Sequence, residues 1–81
     1  MSILLIEDNE SIAEGLVYAF KKNNYNLVYK TTIKESVDYL NNNNPDLIIL
    51  DVSLPDGDGF DLYENFIQKK KYPCNFLNCK R

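Results

Sequence analysis

The chain has 81 residues, a formal net charge of −3 at neutral pH and a hydrophobic content of 44%. This length allows one domain with a small core, and the hydrophobic content is that of a globular protein rather than a disordered one. The acidic balance argues against a nucleic-acid-binding surface in this segment. The apolar runs are too short for a signal peptide or a membrane span, which predicts a cytoplasmic protein with no membrane contact.

The first predicted element is a strand over residues 2–6, an aliphatic run that leads directly into Glu7 and Asp8. A continuous apolar run is typical of a strand that is buried on both faces of a parallel sheet. A helix follows, for which Ser11 with Glu14 fits a capping box and Asn9 is an alternative cap. The apolar residues of this helix recur at helical spacing, at Ile12, Ala13, Leu16, Val17 and Phe20.

The second strand is predicted over residues 26–30, and a second helix follows it. The partial alternation of this strand favours a position at an edge of the sheet. Thr32 and Glu35 form a capping box at the start of the helix. A run of four asparagines, residues 41–44, ends the helix, and Pro45 prevents its continuation. The apolar face of the helix is marked by Ile33, Val37 and Leu40.

The third predicted strand, residues 47–51, is an aliphatic run that ends in Asp51. Turn residues follow it at positions 55–59. Asp58 or Asp61 can then start a third helix that ends at three lysines, and residues 74–79 fit a fourth strand. The resulting order, β-α-β-α-β-α-β, predicts a parallel α/β sheet with right-handed crossovers.

Two cysteines, Cys74 and Cys79, lie in the predicted fourth strand. On one strand they would point to opposite faces and lie roughly 17 Å apart, so they could not bridge each other. Their spacing also differs from the Cys-x-x-Cys pattern of redox and zinc sites. We therefore expect both thiols to be reduced.

Acidic residues stand at the ends of the first and third strands. If these strands are parallel neighbours, they lie roughly 4.8 Å apart, so that Glu7, Asp8 and Asp51 share one rim of the sheet. Three carboxylates so close together repel one another unless a cation joins them. Carboxylate oxygens on a small rim suit Mg²⁺. We call Glu7, Asp8 and Asp51 the acidic pocket and predict that it binds magnesium.

The chemistry of the acidic pocket fits phosphoryl transfer, with Asp51 as the nucleophile. A carboxylate oxygen can attack phosphorus to give an aspartyl phosphate. Such a reaction needs positioning and neutralised charge more than acid–base catalysis. A magnesium ion at Asp8 and Asp51 would bridge the nucleophile and the phosphoryl oxygens, with Glu7 acting through a metal-bound water. The backbone carbonyl of Ser53 is a further candidate ligand, because the loop turns there.

Together, these residues resemble a response-regulator receiver domain of bacterial two-component systems. That family has an acidic pair after its first strand, a phosphoacceptor Asp after its third, and an Asp-x-x-[Leu/Met]-Pro-x-x-x-Gly loop. Here the acidic pair is Glu7 and Asp8, the phosphoacceptor is Asp51, and the loop carries Pro55 and Gly59. The resemblance implies a flavodoxin-like fold with strand order 2-1-3-4, Mg²⁺ dependence and phosphorylation by a sensor histidine kinase.

The resemblance covers about two thirds of a usual receiver. The family's fourth strand typically ends in a Ser or Thr that senses the phosphoryl group, and Asn78 falls at that place. The fourth helix, the fifth strand with its phosphate-contacting Lys, and the fifth helix have no counterpart, and Lys80 is wrongly placed to replace that Lys. Residues 1–81 are therefore expected to form a partial receiver domain. A DNA-binding effector domain is possible in a longer parent protein.

The missing fifth helix has a predicted physical consequence. Apolar surface from strand residues 3–6 and 47–50 is expected to face water, which favours association as a homodimer or a strand-exchanged oligomer. The alternative to a phosphorylated switch is therefore a binding or dimerisation module that has lost switching. We do not expect an enzyme: an aspartyl-phosphate hydrolase would want a second acid two residues after the nucleophile, where Ser53 stands. A calcium loop starting at Asp56 fails the ligand spacing.

Overall fold

A computed structural model describes residues 1–77. The strands are β1 (Ser2–Ile6), β2 (Asn26–Lys30), β3 (Leu47–Asp51), β4 (Ser53–Leu54), β5 (Gly57–Asp58) and β6 (Cys74–Leu77). The helices are α1 (Glu10–Lys22), α2 (Ile33–Asn42) and α3 (Gly59–Leu62), and α3 continues into a π-helical turn, Tyr63–Ile67.

Four strands form one sheet in the order β2-β1-β3-β6, and all neighbours are parallel. This confirms the predicted parallel α/β sheet and its strand order, with β6 as the fourth strand of the prediction. Strands β4 and β5 pair separately as a short antiparallel hairpin, in which Ser53 lies opposite Asp58. We call residues 53–58 the loop hairpin; the sequence predicted only a turn in this region.

The aliphatic runs are explained by burial on both faces of the sheet. In β1, Leu4 and Ile6 pack into the core under α2 and α3, whereas Ile3 and Leu5 pack into the core under α1. None of these four side chains is more than 2% exposed. A strand in this position has no solvent-facing side, so a run without alternation is the pattern it requires.

The expectation that strand residues 3–6 and 47–50 face water is wrong for most of them. Ile48 and Leu50 of β3 are completely buried, as is most of β1. The reason is that β1 has a strand on each side and helices over both faces, so its burial does not depend on a further helix. Only Leu47 and Ile49 of β3 are half-buried, on the face that α1 covers.

Helix caps fall on predicted residues, and for α1 the structure decides between the two alternatives. Asn9, not Ser11, caps α1, since its side-chain oxygen accepts a hydrogen bond from the Ile12 amide at 3.2 Å. Thr32 caps α2 by accepting from the Glu35 amide at 3.1 Å. Asp58 starts α3 as one of the two predicted caps. These caps fix where each helix begins, immediately beyond the rim of the sheet.

The end of the chain is described as far as Leu77. The predicted fourth strand is confirmed from Cys74 to Leu77. Its last two predicted residues, Asn78 and Cys79, lie outside the described part, as does Lys80. Cys74 is a free thiol, and burial raises its pKa to about 11. Within residues 1–77, every helix is too short or too polar to cross a membrane.

Candidate acidic metal centre

The acidic pocket forms where β1 and β3 end side by side. Ile6 lies opposite Leu50 in the parallel ladder, so the next residues of both strands emerge at the same edge of the sheet. Glu7, Asp8 and Asp51 each contribute a carboxylate oxygen to a group whose members all lie within 4.8 Å of one another. The structure thus brings together the three carboxylates that the sequence placed at this rim.

Burial makes this cluster electrostatically costly. Glu7 is completely buried and Asp51 is 2% exposed, while Asp8 is half-buried. Burial is the largest influence on Glu7 and raises its pKa, and the nearby carboxyl groups of Asp8 and Asp51 raise it further. One backbone hydrogen bond opposes them, because the Asn9 amide donates to Glu7 Oε2 at 3.0 Å. Extra positive charge here would therefore be favourable.

The backbone holds Glu7 firmly at the end of β1. Its amide donates to the Lys30 carbonyl at 3.0 Å, which extends the pairing of β1 with β2 by one residue. The cap residue Asn9 then turns the chain into α1. Glu7 is thus held at the rim by a main-chain bond to β2, and the Asn9 amide donates to its side chain.

Gly59 allows the loop after Asp51 to fold closely over the strand. A Cβ atom at this position would lie 2.9 Å from Val52 Cα and would also collide with the Asp51 carbonyl. Real Cβ contacts are not this short with rigid backbone, so a side chain cannot be accommodated there without moving the chain that carries Asp51. The Gly59 amide donates to the Val52 carbonyl at 2.6 Å, which closes the loop.

Ser53 lies in β4, two residues past Asp51. Its amide faces the Asp51 carboxylate, with 3.4 Å between Ser53 N and Asp51 Oδ1. Leu54, the next residue, is buried in the core with Leu40 and Leu62, and this packing holds the loop against the core. The role of the Ser53 carbonyl as a metal ligand stays a prediction, as does the sensing role of Asn78, which lies outside the described residues.

Asp56 has a structural role that sequence reasoning missed. Its carboxylate accepts hydrogen bonds from the amides of Ile33, at 2.8 Å, and Lys34, at 3.1 Å. These two bonds lower the pKa of Asp56. The prediction that Asp58 can cap the third helix is confirmed, because its side chain accepts from the Phe60 amide at 2.8 Å.

Comparison with known proteins decides the family. Residues 3–79 match the family model described as "Response regulator receiver domain". The chain belongs to this family. The receiver resemblance read from the acidic residues and the Pro55–Gly59 loop is thereby confirmed, and the chain is a receiver domain of the kind found in two-component response regulators.

Curated relatives of this receiver are longer regulatory proteins. The alkaline phosphatase synthesis transcriptional regulatory protein PhoP of Bacillus subtilis is 33% identical over 79 residues, which are 96% of this chain and 33% of PhoP. The swarming motility regulation protein RssB of Serratia marcescens is 37% identical over 59 residues, or 73% of this chain and 27% of RssB. The receiver therefore spans about a third or less of the length of these relatives.

Solved structures agree with the receiver assignment. The non-phosphorylated HemR receiver domain from Leptospira biflexa superimposes with a TM-score of 0.85 at 40% identity, over 94% of this chain and 62% of that one. The N-terminal domain of a response regulator receiver protein from Methanoculleus marisnigri gives a TM-score of 0.90 at 24% identity, over 98% of this chain and 67% of that one. The second likeness supports the fold alone.

Proposed function

We propose that this receiver accepts a phosphoryl group on Asp51 from a sensor histidine kinase, with Mg²⁺ bound in the acidic pocket. The observation that carries this proposal is the convergence of Glu7, Asp8 and Asp51 within 4.8 Å at the ends of two adjacent parallel strands. Of the three carboxylate residues, Asp51 is the one at which a core strand ends and the chain leads into the loop hairpin. This position suits it to present one oxygen to an incoming donor.

The donor set fits a magnesium ion. Three carboxylates from the ends of two strands offer hard oxygen ligands. Burial first, and the neighbouring Asp8 and Asp51 carboxyl groups next, raise the pKa of Glu7, and a divalent cation would offset this cost of the charged form. Asp8, Asp51 and the Ser53 carbonyl would hold the ion, and Glu7 would act through a bound water. When bound, Mg²⁺ neutralises the developing charge on the phosphoryl oxygens.

The transfer itself requires little from the protein beyond positioning. An oxygen of the Asp51 carboxylate attacks phosphorus, the phosphorus–nitrogen bond of the phosphohistidine donor breaks, and the departing imidazole takes up a proton from solvent. The product is an acyl phosphate on Asp51. The chain then acts as a phosphoacceptor that assists its own phosphorylation and dephosphorylation, and not as an enzyme with a separate substrate. Asn78 would donate a hydrogen bond to the new phosphoryl group.

A small phosphodonor tests this proposal without a kinase. We expect the chain to gain one phosphoryl group on incubation with acetyl phosphate and Mg²⁺, as measured by intact mass. The gain should disappear in Asp51→Asn and on chelation of the metal, because each removes one part of the reaction. Phosphorylation that persists in Asp51→Asn would place the acceptor elsewhere and contradict the proposal.

The second candidate function is a binding or dimerisation module in which the acidic pocket survives without switching. It is favoured by two exposed aromatic side chains in contact at β6: Phe76 of this strand and Phe60, which are 39% and 47% exposed. No gain of phosphate from acetyl phosphate, together with concentration-dependent association, would support this candidate over the phosphoacceptor.

The wider protein context follows from the relatives. PhoP is, by its name, a transcriptional regulatory protein. We propose that in a longer parent this receiver controls an effector domain, such as a DNA-binding one, in the cytoplasm. The genomic sequence that encodes the chain tests this directly, since an open reading frame continuing into such a domain would support it and a stop codon after Arg81 would oppose it.

A further inference from the structure

Asp56 joins two parts of the protein that are distant in sequence. It lies between β4 and β5 at the tip of the loop hairpin, and its two carboxylate oxygens accept from the amides of Ile33 and Lys34, the first two residues of α2. The sequence separations are 23 and 22 residues. An aspartate that served only its own turn would bond to a neighbouring amide, as Asp58 does with Phe60.

Helix α2 already has a local cap. Thr32 accepts from the Glu35 amide through its side chain, and its carbonyl accepts from the Ser36 amide at 3.1 Å. Asp56 takes the two remaining amides of the first turn, so that side chains from two separate segments share the helix start. The local cap specifies where α2 begins; the distinct contribution of Asp56 is to hold the loop hairpin against it.

The loop hairpin is the segment that leads away from Asp51. It begins at Ser53, whose amide faces the Asp51 carboxylate, and it ends at Asp58, one residue before the loop-closing Gly59. Its Gly57 packs against α2 so closely that a Cβ atom there would lie 2.7 Å from Ile33 Cδ1. Contact with α2 at the tip and closure at the base leave the backbone of residues 52–53 little freedom.

We propose that Asp56 is a positioning residue that fixes the backbone next to Asp51 by holding the loop hairpin on α2. For its effect on metal binding, this inference rests on the proposed function. The hairpin and the acidic pocket are then linked: magnesium held at Asp51 and the Ser53 carbonyl favours the ordered hairpin, and the ordered hairpin favours magnesium. Linkage of this kind is reciprocal, so it can be measured either as Mg²⁺ affinity or as the order of the loop hairpin.

Asp56→Asn and Asp46→Asn form a matched pair for the test. Each removes one negative charge from an exposed loop carboxylate that accepts a long-range backbone bond; Asp46 Oδ2 accepts from the Ser2 amide at 2.8 Å. Asp46 directly precedes β3, whereas Asp51 is the last residue of the same strand, so the two carboxylates lie at opposite ends of β3. We expect Asp56→Asn to weaken Mg²⁺ binding about fivefold, measured by amide shift titration, and Asp46→Asn to leave it within about twofold of the wild type.

Hydrogen exchange measures the second quantity, the effect of Mg²⁺ on the contact between the loop hairpin and α2. Mg²⁺ should slow exchange of the Ile33 and Lys34 amides in the wild-type chain and in Asp46→Asn, but not in Asp56→Asn. A residue that only capped α2 would speed these amides without changing Mg²⁺ affinity, and that result would overturn the proposal. Equal weakening of Mg²⁺ binding by both variants would also overturn it, because it would indicate a general effect of charge.

A failure of the wild-type chain to bind Mg²⁺ would contradict the metal part of the proposed function, and the role of Asp56 is then decided in metal-free protein. The Gly59 amide reports on closure of the loop through its bond to Val52. Faster exchange of this amide in Asp56→Asn than in Asp46→Asn would support the positioning role. Equal exchange in the two variants would overturn it.

Discussion

Glu7 shows how one residue can be unfavourable for folding and still lie in the proposed metal site. It is completely buried beside two other carboxyl groups, and its pKa is raised mainly because burial disfavours the charged form. When the pKa of a group is higher in the folded state than in the unfolded state, its contribution to the free energy of unfolding falls as the pH rises from the unfolded pKa through the folded pKa. At neutral pH, the metal-free protein therefore carries an electrostatic cost at this position.

Glu7→Gln should stabilise the metal-free protein. Glutamine keeps an oxygen that can accept from the Asn9 amide and removes the charge that burial and the two aspartates oppose. We expect an increase of about 1 kcal/mol in the free energy of unfolding at pH 7 with a chelator present, measured by urea denaturation.

Excess Mg²⁺ provides the control for Glu7→Gln. A ligand that binds the folded state stabilises it more the tighter it binds, so the wild-type chain should gain more stability from the metal than the variant does. A variant that is less stable than the wild type without metal would show that the Glu7 charge has a favourable partner strong enough to offset its burial.

The candidate site could largely be predicted from sequence because its geometry is encoded by strand ends. Glu7, Asp8 and Asp51 each follow an aliphatic run, and parallel strands bring their ends to one edge whatever the intervening helices contain. Asp56 could not be predicted in the same way. Its partners are more than 20 residues away, and no periodicity or motif relates a turn carboxylate to the start of a distant helix.

At the scale of elements, the strands and the first two helices follow from their patterns, and the third helix does so only in part. Residues 59–67 are helical as expected, but the helix widens at Tyr63 into a π-helical turn and ends at Ile67, before the three lysines that were predicted to end it. A change of helix type depends on how side chains such as Phe66 and Ile67 fit against the sheet, which apolar spacing does not specify. The choice between Asn9 and Ser11 was open for a similar reason, because both are good caps.

The start of α2 should respond to acid through Asp56. Its pKa is lowered by the Ile33 amide first and by the Lys34 amide as well, so the carboxylate contributes stability above its unfolded pKa, near 3.8, and loses it as pH falls through its folded value. We expect the wild-type chain to exceed Asp56→Asn in stability at pH 7 by up to about 1 kcal/mol, a value that solvent exposure keeps small.

The pH dependence of that difference is the informative quantity. The difference in stability between the two proteins should be constant from pH 7 to about pH 5 and shrink below pH 3.8, as measured by urea denaturation of both proteins across this range. Asp46→Asn provides the comparison for general charge effects. A difference that grows as the solution is acidified would show that the Asp56 carboxylate is not stabilised by the α2 amides.

At the scale of the whole molecule, coverage of the sheet was the hardest feature to predict. The sequence correctly indicated strands that need covering on both faces, but it could not show how far each helix reaches. Helix α1 protects β1 and β2, whereas Leu47 and Ile49 of β3 stay half-buried on the same face. Coverage depends on where the crossovers place each helix across the sheet, which is a property of the assembled layers.

Among the described residues, two exposed aromatic side chains, Phe60 and Phe76, lie together at β6, whereas Met1, Tyr18 and Tyr25 are exposed elsewhere. Among the described strands, β6 lies at one edge of the sheet, and edge strands are prone to pair with another chain. Phe76 of this strand contacts Phe60, with ring centroids 5.0 Å apart, and Tyr63, at 5.3 Å. An edge strand flanked by exposed aromatic rings is a surface that a second copy of the chain can cover.

We therefore expect the 81-residue chain to self-associate, with a sedimentation coefficient that rises with concentration across the micromolar range. Phe60→Lys should weaken association about tenfold, because it places a charge in the aromatic cluster. Tyr18→Lys is the matched control, since Tyr18 is 71% exposed on α1 and outside the cluster. A folded monomer at all concentrations, or equal effects of the two substitutions, would show that this surface does not mediate association.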